Sequence, residues 1–252
     1  MGTQDWKTLA QELDSLLKLQ SPPLAITFSN TAPEGVPAFD GAMPEPAADG
    51  RTGRVPAGCV FWVEATNKTF STAPEDHGNC SVGSLTHGLK TLDEIAHNFD
   101  VAALIESGWV TLDVVPQIPV VKERPNFIIY GPLAETTIDP DVVFMRLNAK
   151  QVMVLHDALP GLRFEGKPQC HIIPIAKEHN EVAVSVGCML SRVRTGIPNS
   201  EMTCAIPAGK LADVIQALKT AAPADTAVAA YASQDAKRFK AGVGGQGPGD
   251  RD

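Results

Sequence analysis

Several things that would have narrowed the function at once are missing from this sequence. There is no cationic stripe: 21 Lys and Arg stand against 29 Asp and Glu in 252 residues, a formal net charge of −8. Phosphate backbones and anionic membrane surfaces are held by such stripes, so neither nucleic acid nor membrane is expected as a main partner. No apolar run approaches the ~18 residues of a membrane span. The opening MGTQDWKTLA has no basic segment ahead of an apolar one, as a secretory leader has. A soluble, cytoplasmic chain is the expectation. Aromatic residues are sparse at 6%, whereas 21 glycines and 20 prolines predict many connections and short elements. With 44% apolar residues the chain can build a core.

Apolar residues at Trp6, Leu9, Leu13, Leu16 and Leu17 predict an amphipathic first helix, stopped by Pro22 and Pro23. A buried strand follows at Leu24 to Phe28. Residues 30–58 carry Pro33, Pro37, Pro44, Pro46 and Pro56 without periodicity, and read as an insertion that either covers a site or decorates the surface. Further helices are expected at 58–66, 84–89, 91–97, 100–107, 148–159 and 209–219. Strands are expected at 69–72, 109–114, 126–130, 141–146, 170–176, 181–187 and 202–206. The segment from Phe144 to Ala149 is echoed by Thr203 to Ala208, 59 residues later, each leading into a helix. The fold class this implies is α+β: a mixed, mostly antiparallel sheet with helices packed on it and room for an internal β-α duplication. Residues 1–232 form one domain, and the Gly-rich stretch at 233–252 reads as a flexible polar tail.

Cysteine carries most of the functional information. Five occur, Cys59, Cys80, Cys170, Cys188 and Cys204, and an odd number without a leader argues against a disulfide framework. Cys59 and Cys188 each follow a glycine, and Cys80 lies between Gly78 and Gly83, where glycine lets the backbone approach a bulky bound group. His77 lies three residues before Cys80. Cys188 ends a strand and opens a loop containing Ser191, Arg192 and Arg194. A hairpin turning at Glu178-His179-Asn180 would set Cys170 opposite Cys188, and a loop one residue shorter or longer would bring His171 to that face instead. Cys204, in a strand, reads as structural. The spacings match neither a compact ferredoxin run nor a two-knuckle zinc pattern, so a shared site requires distant segments to converge.

Taken together, these segments resemble the family of prokaryotic proteins called domain of unknown function 169. The resemblance is carried by Ser21-Pro22-Pro23-Leu24-Ala25-Ile26, Cys59, Asp76 through Cys80-Ser81-Val82-Gly83 to His87-Gly88, and Asp141-Val142-Val143-Phe144 with Gln151-Val152-Met153. It continues in Ser185-Val186-Gly187-Cys188, Ser191-Arg192, Thr195-Gly196, Glu201-Met202 and Ile206-Pro207, spanning about residues 6–220, and departs in the Pro-rich stretch 33–56. It implies that Cys59, Cys80 and Cys188 occupy recurring cysteine positions, which fits an iron–sulfur or other metal site. The expectation is a 4Fe–4S protein, with zinc or no metal as alternatives. Cys170 is a fourth ligand in one version, and Gly83 and Gly187 lie against the cofactor. An open iron would act on a small molecule oriented by Arg192, Arg194, Ser191 and His77, as a lyase, hydrolase or oxidoreductase. A closed cluster would serve a redox partner, and a homo-oligomer is compatible with either. Two other classes stand beside it: a metal-free enzyme with Cys80 as nucleophile and His77 or His87 as base, and a small-molecule-binding protein with structural cysteines. His97, His156 and His179 read as solvent-facing or capping, and Met189 as core packing.

Overall fold

The computed structural model describes residues 5–41 and 53–243. Residues 42–52 of the Pro-rich insertion, and 244–252 of the expected tail, lie outside the described residues. In chain order the elements are α1 (Trp6–Leu17), β1 (Leu24–Ser29), α2 (Cys59–Glu64), β2 (Phe70–Thr72), α3 (Ser81–Thr86), α4 (Leu92–Ile95), α5 (Phe99–Glu106), β3 (Phe127–Pro132), β4 (Val142–Leu147), α6 (Ala149–Ala158), β5 (Arg163–Glu165), α7 (Ile172–His179), β6 (Ala183–Ser185), α8 (Met189–Thr195), β7 (Met202–Pro207) and α9 (Leu211–Val243). The strands form one seven-stranded sheet in the order β2-β3-β1-β4-β7-β6-β5. All its pairings are antiparallel except β5 with β6. The architecture is the α+β class expected.

Both faces of the central strands are covered, which is why these strands read as continuous apolar runs rather than alternating ones. Leu24, Ile26, Val142, Phe144 and Ala205 enter one core with helices α2 and α7. Their neighbours Ala25, Val143, Met145, Cys204 and Ile206 enter a second core with α1, α6 and α9. One layer of backbone therefore separates Cys204 from whatever lies on the first face. The two echoing segments become adjacent antiparallel strands, β4 and β7, with Val142 opposite Pro207. Each feeds a helix onto the same face of the sheet. Asn148 caps α6 as its residue type predicts, accepting from Gln151 N–H at 3.0 Å.

Three expected elements differ. Residues 170–179 are not a strand: a tight turn at Gln169–His171 leads into α7. Ile172, Ile173, Ile175 and Ala176 are all buried on the helix, at spacings of one, three and four. Pro174 sits in the first turn, where its missing N–H has no helical partner to lose. Asn180 is left-handed (φ 55°), as a hairpin would require, but it ends a helix instead. The residues at 109–114 make turns, with Trp109 and Val110 N–H both donating to the Leu104 carbonyl. Beyond Ser233, where fraying was expected, α9 continues to Val243.

The described parts of the Pro-rich insertion are packed against the body. Ala38 bridges Ser71 of β2, and Phe39 meets Phe61 edge-on at 4.9 Å and Phe70 at 5.0 Å between ring centroids. Gly53 and Val55 carbonyls accept from Asn79 Nδ2 at 2.6 and 2.7 Å, and Gly53 N–H donates back to Asn79 Oδ1. The segment covers the first face and brings Gly58 and Cys59 onto it.

Candidate functional site

On that first face, Cys59, Cys80, Cys170 and Cys188 line a single cavity. Each arrives differently. Cys59 opens α2 after Gly58, Cys80 is the N-cap of α3, Cys170 lies in the turn before α7, and Cys188 is the N-cap of α8. The expected register between Cys170 and Cys188 is absent, because one of the two strands is a helix. The pair still meets in the cavity wall, since the turn before α7 and the start of α8 converge there. The enclosed space is small, ≈ 20 Å³, enough for about one water-sized occupant.

All five cysteines are free thiols. Burial pushes the Cys59 thiol up to about 12, with Cys80 and Cys188 adding to the rise and hydrogen bonds from Ser191 and Gln169 opposing it. Burial also raises Cys80, held back by the Gly83 backbone N–H and the charge of Arg194. The acid that acts on Cys80 is Asp100, rather than the nearby Glu75 or Asp76. Asp100 accepts from Ser81 N–H and Ser81 Oγ–H at 2.9 and 2.6 Å and so fixes the start of α3. Cys170 lies well above the ordinary thiol range, chiefly through burial, with Thr86 opposing. These upward shifts favour the protonated thiol over the nucleophilic thiolate; as metal ligands the groups would be deprotonated, releasing protons on binding.

Two of the lining residues carry a buried polar atom without a partner. Trp62 Nε1 and His87 Nε2 are both buried and make no hydrogen bond. Such atoms are rare and point to a missing water, ion or ligand. Trp62 follows Cys59 by three residues, and His87 follows Cys80 by seven, both spacings that return to one helical face. That periodicity, together with Gln169 beside Cys170, was the available signal for residues the sequence reading did not place at the centre.

His77 also lines the cavity, but its Nε2 is 2.9 Å from Thr72 Oγ1, whose own proton goes to the Ile128 carbonyl at 3.1 Å. Its Nε2 therefore donates, and the ring is buried and neutral, its pKa driven well below 6.5 by desolvation and by His87. Ser191 is in the wall and accepts from Gln169 Nε2 at 2.9 Å. Arg194 approaches the Cys80 side, its Nη1 3.4 Å from the Asn79 carbonyl. Arg192 does not face the cavity. Its Nη2 donates to the carbonyls of Val186, Asn199 and Glu201 at 3.1, 3.1 and 2.9 Å, so it clasps the loop around α8 and is removed from the substrate-orienting set.

Gly187 is likewise displaced from its expected role. It lies outside the cavity wall, its φ is +114°, and a Cβ there would run into the Arg192 guanidinium. Gly83 does line the cavity, whereas Gly78 packs against Gly53 of the insertion instead of a bound group. Met189 is 60% exposed and is not core packing. His97, His156 and His179 are exposed as expected.

Among the described residues, no group of three or more His, Cys, Asp or Glu side chains could hold a metal ion. No helix among them is long and apolar enough to cross a membrane. Comparison with protein families matches residues 12–217 to the DUF169 model, described as uncharacterised ArCR. The chain belongs to the DUF169 family. Neither a curated protein nor a solved structure matches it. The match runs from within α1 to within α9, so the whole sheet and all four cavity cysteines of this DUF169 chain lie inside the family region.

Proposed function

We propose that the protein holds a cysteine-ligated iron–sulfur group, a 4Fe–4S cluster, in the cavity on the first face of the sheet. The observation that carries this reading is the convergence of four thiols from four distant segments on one space, while the fifth is kept on the opposite face. Thiolate-rich sites take iron–sulfur clusters, zinc or Cu(I) rather than hard cations. One tetrahedral zinc, with bonds of 2.3 Å, draws its sulfurs to within about 3.8 Å of each other, and no described group is so arranged. A cluster gives each thiolate its own iron and accepts wider spacing. The donor set fits; the free space of ≈ 20 Å³ requires lining side chains to move aside on loading.

When bound, the group would supply Lewis-acid or one-electron chemistry. The chain's own residues do the rest. Ser191 and Gln169 favour the Cys59 thiolate. The Gly83 N–H and Arg194 favour the Cys80 thiolate. Trp62 Nε1 offers a buried donor to an anionic sulfur. With three of the thiolates as ligands the partner is a small molecule at the fourth iron, with Arg194 and Ser191 the candidates to contact it; with all four it is a redox protein. The test is anaerobic purification with iron and sulfide analysis. Brown protein with stoichiometric iron and sulfide is expected, retained in Cys204→Ala and lost in Cys59→Ala or Cys80→Ala. Colourless, iron-free wild-type protein removes the reading.

A further inference from the structure

We propose that the outer half of α9 docks on a second copy of this chain, against the segment from Leu92 to Val121. The proposal goes beyond the reading above and holds whatever fills the cysteine cavity. Of the fourteen exposed large apolar side chains among the described residues, six stand on that segment: Leu92, Phe99, Ile105, Leu112, Val114 and Val120. Three more, Val228, Tyr231 and Phe239, stand on α9. Exposed apolar surface gathered in this way marks an interaction site. The three on α9 follow at steps of three and eight, so they share one helical face. Residues 226–240 are exposed on every side, and a helical stretch of that length without packing is marginal in water.

Charge identifies the occupant. Between Lys90 and Lys122 there is no Lys or Arg, but there are Asp93, Glu94, Asp100, Glu106 and Asp113. Asp100 is buried on Ser81, and Arg124 neutralises Glu94 at 3.3 Å. Asp93, Glu106 and Asp113 are exposed and enter no ion pair among the described residues. At the far end of α9, Lys237, Arg238 and Lys240 are exposed and equally unpaired. Three cations less Asp235 give residues 226–240 a charge of +2, on a chain whose net charge is −8. A basic, aromatic helix end is thus complementary to an acidic, apolar surface of the same molecule. The contact is not made within one chain, because α9 runs unbroken from turns rooted in the second core. The acidic segment is rooted in the first core, through Leu104. It is also tied at both ends to α3, the helix that Cys80 begins. Asp100 holds Ser81, and the Val121 N–H donates to the Thr86 carbonyl at 2.9 Å.

The test is sedimentation velocity of full-length protein across the micromolar range. Dimers or larger species are expected, and added salt weakens them. Lys237→Glu with Arg238→Glu and Lys240→Glu raises the dissociation constant at least about ten-fold. Asp93→Lys with Glu106→Lys and Asp113→Lys does the same, and all six reversals in one chain restore association. These positions are exposed and the end of α9 lies outside the family region, so the fold is kept, as circular dichroism verifies. A carbodiimide that joins amines to carboxylates is then applied to mixed ¹⁴N and ¹⁵N protein. It should link Lys237 or Lys240 to Glu106 or Asp113 of the other copy. Wild-type protein that stays monomeric at every concentration overturns the proposal. So does association untouched by the reversals at Asp93, Glu106 and Asp113, which would put another surface at the interface. A monomer that its α9 cations carry to anionic lipid vesicles overturns it as well. Iron and sulfide content enters none of these readouts, so failure here leaves the cluster reading standing.

Discussion

The clasp formed by Arg192 and Gly187 makes a quantitative prediction. Arg192 Nη2 reaches three carbonyls at 2.9–3.1 Å on the loop flanking α8. Two of these contacts are exposed, so water replaces much of what Arg192→Ala removes, and the cost is ~1–2 kcal/mol. Gly187 sits at φ +114° with the guanidinium where a Cβ would be. Gly187→Ala therefore incurs backbone strain of ~1–3 kcal/mol and also expels the guanidinium, adding the ~1–2 kcal/mol that Arg192 contributes. Once Arg192 is gone, the added methyl group has nothing left to expel. The double variant is then about as unstable as Gly187→Ala alone, and the two single costs exceed it by ~1–2 kcal/mol. Urea unfolding of the four proteins, followed by circular dichroism, measures this directly. Costs that add to within ~0.5 kcal/mol would show that the two residues do not share the space, and the clasp would be refuted.

Three further outcomes are expected. Burial drives the His87 pKa down to about 4 from 6.5, so the unfolded chain takes up this proton first. The stabilisation is complete above about pH 6.5 and is lost as pH falls toward 4, on the order of 3 kcal/mol. A metal-free His87→Gln protein whose stability falls as steeply as wild type over that window contradicts this. Phe61 is fully buried against Phe39, Phe70, His77 and Tyr130, so Phe61→Ala should cost ~3–5 kcal/mol; a loss below ~1.5 kcal/mol by thermal or urea unfolding would place the ring outside the core. Asn79 is 2% exposed and makes three hydrogen bonds to Gly53 and Val55. Asn79→Ala should destabilise by ~1–3 kcal/mol and speed proteolysis within 30–58, and unchanged cleavage there would mean the insertion is held by other contacts.

Much of the fold was legible because the central strands are buried on both sides. Runs such as Leu24–Ile26 and Val142–Met145 leave little choice but an interior strand. The same logic failed at 172–176. An isoleucine-rich run reads as a strand when taken by composition, but Ile172, Ile175 and Ala176 are separated by helical spacings. The hairpin built on that strand fell with it. Cys170 and Cys188 nevertheless meet, because a helix start and a turn can present side chains to one space as readily as two strands can. Cys59, Cys80 and Cys188 were legible by their glycine neighbours, which Cys170 lacks. Arg192 was misread because sequence cannot tell a guanidinium that binds a ligand from one that ties up its own loop. His87 appeared only as an alternative base, since its distinguishing feature is the partnerless Nε2, which is not written in residue order.

Helix α9 is 33 residues long, about 50 Å at 1.5 Å per residue, yet its buried residues stop at Leu218. Its anchored turns lie on the sheet face opposite the cysteine cavity. Residues 226–240 are exposed and continue a helix rooted in the layer that does not carry the four cavity cysteines, so a tag or surface tether joined at residue 240 is attached through that opposite layer.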